Sequence, residues 1–406
     1  MPDFFQTGAI TTLHRLGPSR GPALEAELTR FSHERPIALV LPCHVRELGG
    51  RGLAAIAREL AAVPYLHRVV VGLDGAARRS DWLAAREFFA RWPLAPTLVW
   101  NDSPRVQRLL RRLARQGLPA GPAGKGRNVW LSLGAVLASA SAGVVAVHDA
   151  DILTYDRELL ARLCYPVAHP GLGFAFCKGY YARVAGRLHG RVTRLFFTPL
   201  LRTLTALAGP HPLLAHLESF RYPLAGEICL ETTLARRLRL PGDWALEVGV
   251  LAEVFRQAAP RAICQAELCE NYDHKHQELS PRDAGKGLHR MAIDIAHALL
   301  RQLAAEGLHL DAGHLATLPA AYLRQASETL RSSAADALVN GLEWPHHEEE
   351  CAVATFARSL REAAQLLQRP GGSAASIPSW DEVQAALPGC LDELSDAVRR
   401  DGGSGR

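Results

Sequence analysis

Two aspartates separated by one residue follow a short apolar run in the middle of the chain. The run is Val144–Val147, and His148 leads from it to Asp149, Ala150 and Asp151. A β-branched run bounded by polar residues predicts a buried strand, and α/β folds bind ligands where their parallel strands end. Alternate side chains of an extended backbone point the same way, so both carboxylates can face one hard cation. The pattern predicts a divalent-metal site, to which a diphosphate would add further oxygen ligands. The alternative interpretation is a pair of aspartates that only marks the turn from a strand into a loop.

A lysine between two glycines precedes a helical pattern slightly earlier in the chain. In Gly124-Lys125-Gly126, a flexible backbone and one ammonium lie beside the positive end of the predicted helix, an arrangement that suits a phosphate. The segment is not a Walker loop, because the spaced first glycine and the Ser or Thr after the lysine are missing. A lysine on a solvated turn is the alternative interpretation.

The segment Gly190-Arg191-Val192-Thr193 also comes directly before a predicted helix. A guanidinium and a hydroxyl at a helix N-terminus can receive a carboxylate or a phosphate. The alternative is a capped helix whose basic face is solvated. The segment is therefore a candidate site for a second anion.

Two further polar residues are candidates for these sites, and one polar run is not. His274 follows a strand-like run, and its imidazole could bind the cation of the aspartate pair, since imidazole beside carboxylates suits manganese or a similar ion. Its alternative is a place on a surface loop. Glu247 is a carboxylate in an apolar context, which alone is more often a structural hydrogen-bond acceptor than a catalyst. The acidic run at 346–350 has no apolar strand to hold it, and we predict a solvated face there.

Alternating strand and helix patterns surround the candidate residues. Strands are predicted at 36–42, 66–73, 96–100 and 144–147, and helices at 50–62, 82–91, 105–116, 128–138 and 193–207. This alternation predicts a mostly parallel sheet with helices on both faces and a binding crevice at the strand ends. The Ala- and Leu-rich part at 285–367 is predicted to be helical. The Gly- and Pro-rich break at 369–373 predicts a linker, and 401–406 is predicted to be disordered.

Composition excludes several classes of protein. The chain has 406 residues, 48% of them hydrophobic, and is long enough for a large core. Its net charge of +5 is mild and its arginines are scattered among acids, so no nucleic-acid partner is expected. No apolar stretch approaches the roughly 20 residues of a membrane span, and the N-terminus lacks a signal-peptide pattern, so we expect a cytoplasmic protein. The eight cysteines predict neither a disulfide framework nor a zinc site.

Taken together, the motifs resemble those of one enzyme family. In order, they are Val40-Leu41-Pro42, the Asp74 turn, Gly124-Lys125-Gly126, Asp149-Ala150-Asp151, Gly190-Arg191-Val192-Thr193, Pro223-Leu224-Ala225-Gly226-Glu227, Leu246-Glu247-Val248-Gly249 and His274. Their order and spacing over about residues 35 to 290 resemble the glucosyl-3-phosphoglycerate synthases. That resemblance implies a homodimeric enzyme with the A-type glycosyltransferase fold, a Rossmann-like sheet flanked by helices. It also implies transfer of glucose, with retained configuration, from UDP- or GDP-glucose to 3-phosphoglycerate.

The resemblance also implies a domain plan and site roles. The plan is an N-terminal segment at 1–34, a glycosyltransferase domain at 35–284, a helical region at 285–368, and a linker with a partly disordered tail at 369–406. The roles are nucleotide-sugar binding for Pro42, Glu47, Asp74, Lys125, Asp149 and Ala150, acceptor binding for Gly190, Arg191, Val192 and Thr193, metal binding for Asp149, Asp151 and His274, and catalysis for Asp151 and Glu247. The implied cofactor is Mg²⁺ or Mn²⁺.

Some features leave other functions open. The run Cys43-His44-Val45-Arg46 departs from the small, acidic run usual after the first strand, and Asp74-Gly75 lacks the usual following Ser-Thr-Asp. Mannosylglycerate synthases place similar glycine-flanked lysines and aspartate pairs, so a mannosyltransferase that uses GDP-mannose to make mannosylglycerate or its phosphate is one alternative. A catalytically silent sugar-nucleotide-binding protein is another, against which the retained acidic pair, lysine and histidine argue.

Overall fold

A computed structural model describes residues 8–274, 277–369 and 376–403. Its described part contains one eight-stranded sheet with the order β1-β8-β6-β7-β5-β2-β3-β4. The strands are β1 Thr11–Leu13, β2 Ile37–His44, β3 Leu66–Asp74, β4 Thr97–Trp100, β5 Val144–Val147, β6 Phe176–Tyr181, β7 Ile228–Glu231 and β8 Ile263–Cys269. All pairings are parallel except those of β7, which runs antiparallel to β5 and β6. The four strands predicted above are confirmed.

Helices connect and cover the strands. They are α1 Gly21–Ser32, α2 Arg51–Leu60, α3 Arg79–Phe89, α4 Pro104–Arg115, α5 Lys125–Ser139, α6 Arg157–Ala168, α7 Thr198–Ala208, α8 Pro212–Glu218, α9 Thr232–Ala235, α10 Leu246–Gln257, α11 Gly287–Ala305, α12 Ala312–Val339, α13 His346–Gln368, α14 Trp380–Ala386 and α15 Cys390–Gly403. A π-helical stretch, Val192–Phe197, leads into α7. At the start of α4, the Ser103 side chain accepts a hydrogen bond from the free backbone amide of Val106, and Pro104 takes the first position of the helix.

The sheet is buried on both faces at its centre, where a strand such as Val144–Val147 is apolar throughout. In β2, Ala38 and Val40 belong to one hydrophobic cluster, whereas Ile37, Leu39 and Leu41 belong to the cluster on the opposite face. This is the alternation that a strand imposes on its side chains. The larger cluster also contains residues of α11 to α15. The predicted boundary between 284 and 285 stays a prediction, but the helices after it share a core with the sheet.

The C-terminal prediction was partly wrong. Residues 369–406 were expected to be a linker and a partly disordered tail, yet α14 and α15 occupy most of 376–403. The Trp380 ring stacks on the Trp130 ring of α5 with centroids 4.1 Å apart, and the buried Asp401 pairs with Arg105 of α4. Stacked indoles bury a large apolar area, which holds this segment on the domain. Residues 370–375 and 404–406 lie outside the described residues.

No helix within the described ranges is long and apolar enough to cross a membrane.

Candidate active site

The candidate residues converge because parallel strands end at one edge of the sheet. Pro42 lies near the end of β2, Asp74 is the last residue of β3, and Asp149 follows β5. The antiparallel β7 starts at the same edge, since its Ile228 pairs with Val147 at the end of β5. This is the edge of the sheet at which the strand and helix pattern predicted the site.

A lysine held between two carboxylates occupies the middle of this edge. The Lys125 Nζ, in the first residue of α5, lies 2.6 Å from Asp149 Oδ1 and 2.9 Å from Glu247 Oε1 in the first turn of α10. The close approach of α5 to the segment before α10 requires glycine at position 126, because a Cβ there would overlap the Pro241 carbonyl oxygen. The three predicted residues thus form one cluster.

Burial and charge act in opposite directions on this cluster. Burial raises the pKa of the Asp149 carboxyl, but the Lys125 ammonium outweighs that effect and the net pKa is lowered. Burial likewise disfavours the Lys125 ammonium, yet Asp149 and Glu247 together hold its pKa well above the usual range. Lys125 is therefore a fixed cation at the strand edge.

Asp151 lies beside His274. The Asp151 Oδ2 is 3.7 Å from His274 Nδ1, and the backbone joins the two segments through an antiparallel bridge between Ile152 and His274. His274 also interacts electrostatically with Asp149 and lowers its pKa. Gly226 leaves room for Asp149, since a Cβ at that glycine would lie 2.8 Å from both carboxylate oxygens. The three predicted metal ligands are thus close to one another.

The donor types suit a hard divalent cation, but the ligands are not arranged around one. Two carboxylates and an imidazole are ligands that Mn²⁺ accepts, and carboxylates are preferred by Mg²⁺. Across residues 8–274, 277–369 and 376–403, no group of three or more His, Cys, Asp or Glu side chains is placed to hold a metal ion. Asp149 Oδ1 instead contacts the Lys125 ammonium at 2.6 Å. A cation would share Asp149 with Lys125.

A buried polar layer supports the cluster, and it joins Glu227 of the motif at 223–227 to two tyrosines that the predictions did not include. Glu227, fully buried, accepts hydrogen bonds of 2.6 Å from the hydroxyls of Tyr181 and Tyr272, and the two tyrosine rings are stacked 3.8 Å apart. Burial and the nearby Asp149 raise the pKa of Glu227. The Tyr272 ring in turn lies edge-on to the His274 ring at 5.5 Å. These contacts fix the imidazole and the loop of Gly226.

Lys178 of β6 is another group that sequence reasoning missed. Its side chain is only 1% exposed, and its ammonium donates to the carbonyl of Ala225. A signal was present, because the chain has only four lysines and this one interrupts the apolar strand Phe176–Tyr181. Burial lowers the pKa of Lys178 to about 8, although Glu247 and Glu227 act in the opposite direction.

Lys178→Met is expected to remove a pH-dependent loss of stability. Because the pKa of Lys178 falls from 10.5 to about 8 on folding, the unfolded chain binds more protons between these values, and stability must rise with pH there. Relative to the variant, the wild-type free energy of unfolding should rise by about 2–3 kcal/mol between pH 7 and pH 10. Urea denaturation of both proteins at the two pH values measures the difference. A constant difference would show that Lys178 titrates normally.

At the end of β3, Asp74 is joined by an asparagine that was not predicted. Asn101, which follows β4, donates from Nδ2 to Asp74 Oδ1 at 3.0 Å, and burial raises the pKa of the Asp74 carboxyl while this hydrogen bond opposes the rise. Within the described residues, the buried Asn101 Oδ1 has no hydrogen-bond donor. Glu47 lies in the short 3₁₀ turn Val45–Glu47 after β2. Ala150 is buried beside Asp149.

The predicted acceptor segment lies against α13. Gly190 has a φ of +74°, and a Cβ there would lie 2.9 Å from the Tyr222 hydroxyl, so glycine is required on both grounds. Arg191 donates from Nε to Glu349 and from Nη2 to Glu348, each at 2.6 Å. Val192 and Thr193 begin the π-helical stretch and are buried. The side chain of Tyr222 connects this segment to the cluster, because its ring lies 5.1 Å from that of Tyr181.

The prediction of a solvated face at 346–350 was wrong for one residue. Glu349 is 1% exposed and accepts from Arg191 at 2.6 Å and from Arg194 at 2.7 Å. Two guanidinium groups supply the counter-charge that burial of a carboxylate requires. The other acidic side chains of the run, Glu348 and Glu350, are each 55% exposed.

Structural comparison defines the class of protein. A structure of glucosyl-3-phosphoglycerate synthase from Mycobacterium tuberculosis in complex with phosphoglyceric acid is similar, with a TM-score of 0.54 at 22% identity, over 75% of this chain and 90% of that chain. A structure of the same enzyme with Mg²⁺ and UDP gives a TM-score of 0.53 at 23% identity, over 75% and 89% of the two chains. The protein has the A-type glycosyltransferase fold, as predicted.

Sequence comparison identifies the family. Glucosyl-3-phosphoglycerate synthase of Persephonella marina is 41% identical over 402 residues, 99% of each chain. That of Methanococcoides burtonii is 36% identical over 404 residues, 98% of each chain. No protein-family model matches the chain. The chain belongs to the glucosyl-3-phosphoglycerate synthase family and is a glycosyltransferase, which confirms the resemblance of its motifs.

Proposed function

We propose that the protein transfers glucose from UDP- or GDP-glucose to 3-phosphoglycerate and forms glucosyl-3-phosphoglycerate with retained configuration. The observation that carries this proposal is the cluster of Lys125, Asp149 and Glu247 beside Asp151 and His274 at the strand edge. Structures of the Mycobacterium tuberculosis enzyme contain Mn²⁺ with UDP-glucose and phosphoglyceric acid, or with UDP and the product. The groups of this chain suit the same chemical classes of ligand.

The donor diphosphate requires positive charge. We place it beside Lys125 and beside a divalent cation held by Asp149, Asp151 and His274, where Mg²⁺ or Mn²⁺ would neutralise the pyrophosphate. The Mycobacterium tuberculosis enzyme has been crystallised with either ion. The base would lie over Pro42, Glu47 and Asp74, where the Asp74 carboxylate and Asn101 Oδ1 can accept N–H groups of uracil or guanine.

The reaction breaks the bond between the anomeric carbon and the diphosphate oxygen and makes a bond from that carbon to the acceptor oxygen, whose proton passes to the departing diphosphate. Retention requires attack on the face that the diphosphate leaves. Lys125 stabilises the departing diphosphate, and Glu247 orients the sugar and the acceptor hydroxyl. Such a front-face path relies on positioning and on charge at the leaving group, and it needs no covalent nucleophile.

The acceptor phosphate is assigned to Arg191 and Thr193, with Gly190 and Val192 shaping the segment. Arg191→Ala is expected to lower kcat/KM for 3-phosphoglycerate by about 30- to 100-fold, because a charge-assisted hydrogen bond to a phosphate contributes roughly 2–3 kcal/mol. The value for glycerate, which has no phosphate, should change little. Steady-state kinetics with both acceptors measures the contrast.

A matched control for this variant is Arg202→Ala, since Arg202 lies in α7 and pairs only at the surface with Glu218. An equal loss for both acceptors would instead favour the alternative acceptor, glycerate. That alternative belongs to a mannosyltransferase that makes mannosylglycerate or its phosphate from GDP-mannose.

A matrix of donors and acceptors tests the whole proposal. UDP-glucose, GDP-glucose and GDP-mannose are each combined with glycerate and 3-phosphoglycerate in the presence of Mg²⁺ or Mn²⁺, and release of nucleoside diphosphate is measured. We expect release with a glucose donor and 3-phosphoglycerate. Release only with GDP-mannose would support the mannosyltransferase, and no release from any pair would support a silent sugar-nucleotide-binding protein.

The homodimer implied by the resemblance and the cytoplasmic location expected from the sequence both stay predictions. Sedimentation velocity of the purified protein tests the first, and fractionation of cells that produce it tests the second.

A further inference from the structure

One residue of the acceptor segment has two partners on a single helix. Arg191 contacts the consecutive residues Glu348 and Glu349 in the first turn of α13. Glu348 also lies 3.4 Å from Arg187, through Oε2 and Nη1. The guanidinium that the proposed function assigns to an anionic acceptor is therefore already paired with carboxylates of the same chain.

The two carboxylates differ in how firmly they are held. Glu349 is buried between the partly buried guanidinium groups of Arg191 and Arg194, and both supply the counter-charge that a buried carboxylate requires. Glu348 has a side chain that is 55% exposed. Exposed ion pairs contribute only about 0–1 kcal/mol, because water solvates both charges once they separate. Arg191 can thus exchange Glu348 for another anion while Glu349 continues to orient it.

We propose that Glu348 competes with the acceptor: its carboxylate occupies on Arg191 the place that the phosphate of the acceptor takes, and it leaves when that phosphate binds. The inference rests on the proposed function, which puts Arg191 in the acceptor site. A phosphate dianion carries more charge than the carboxylate it replaces, so the exchange favours phosphorylated acceptors. An acceptor without a phosphate has no group that could replace Glu348 on Arg191. Glu348 is in this way a specificity-determining residue.

Glu348→Gln tests the inference, because it removes the charge and keeps the shape of an exposed side chain. We expect the KM for 3-phosphoglycerate to fall about two- to fivefold, which is the range that an exposed ion pair supports. The kcat should stay within about twofold, and the KM for glycerate should not change. The effect should shrink as salt is raised, since salt screens exposed pairs.

Glu350→Gln is the matched control. Glu350 is also 55% exposed on α13, but it pairs with His346 and not with the arginines. The Glu350→Gln variant removes the same charge from the same helix and should leave the KM for 3-phosphoglycerate unchanged. An equal fall of this KM in both variants would show that the effect comes from net charge alone and would overturn the inference.

A second measurement separates this inference from the proposed function. Titration calorimetry with inorganic phosphate measures anion binding at Arg191 without turnover, and Glu348→Gln should bind phosphate about two- to fivefold more tightly than the wild type. Tighter binding without any wild-type turnover of 3-phosphoglycerate would retain the exchange and reject the proposed acceptor. The exchange itself would be overturned if Glu348→Gln had an unchanged or higher KM for 3-phosphoglycerate and bound phosphate no more tightly than the wild type.

Discussion

Replacing Asp151 with alanine is expected to lower kcat for glucosyl transfer by about three orders of magnitude. Asp151 is one of three proposed ligands of the divalent cation, whose charge stabilises the leaving diphosphate by several kcal/mol. A loss of about 4 kcal/mol of this stabilisation lowers kcat about a thousandfold. The side chain is partly exposed and pairs with His274 at 3.7 Å, so its loss should leave the fold intact. Turnover at saturating Mn²⁺ measures the effect.

Metal affinity provides an independent readout for this variant. The dissociation constant of Mn²⁺, measured by calorimetry in the presence of UDP, should rise together with the loss of turnover. Asp283→Ala is a suitable control, since Asp283 pairs with Lys286 at the surface and lies outside the strand edge. Near-normal turnover of Asp151→Ala at saturating metal would show that this carboxylate is not a ligand.

The strands could be predicted because their signal is local. Each of the four predicted strands is a short apolar run bounded by polar or turn residues, and both faces of the sheet are buried, so the runs are nearly continuous. The position of Asp149 at a strand end followed from the same signal. β7 was not predicted, and its antiparallel direction depends on its pairing with β5 and β6.

The site could be predicted only as separate motifs. The contact between Lys125 and Glu247 joins residues 122 positions apart, and no local pattern indicates which carboxylate a lysine will meet. The resemblance assigned roles to these residues, and the structure adds the charge balance among them.

Glu349 shows where local reasoning fails. A run of histidines and glutamates is typical of a solvated face, and two of its neighbours are indeed exposed. Its burial depends on Arg191 and Arg194, which lie 158 and 155 residues away. The two helices of the C-terminal segment were missed for a similar reason, because the stacking of Trp380 on Trp130 is visible only after folding.

The second large effect is expected for Lys125→Met, which should lower kcat/KM for the nucleotide-glucose by about two to three orders of magnitude. The variant removes the fixed cation beside the diphosphate, and the loss of one such electrostatic contact costs roughly 3–4 kcal/mol at the transition state. It also leaves Asp149 and Glu247 without the ammonium that both contact. Kinetics at varied donor and saturating 3-phosphoglycerate measures the change.

Lys286→Met is the matched control, because this lysine is 77% exposed and pairs only with Asp283. Measuring Mn²⁺ binding distinguishes a role of Lys125 in binding the donor from a role in building the metal site. Lys125→Met removes the ammonium that contacts Asp149, and the loss of a nearby positive charge favours binding of a cation. The variant should therefore bind Mn²⁺ more tightly than the wild type in the absence of nucleotide. Loss of turnover together with weakened Mn²⁺ binding would mean that Lys125 builds the metal site, and its assignment to the donor phosphates would then be wrong.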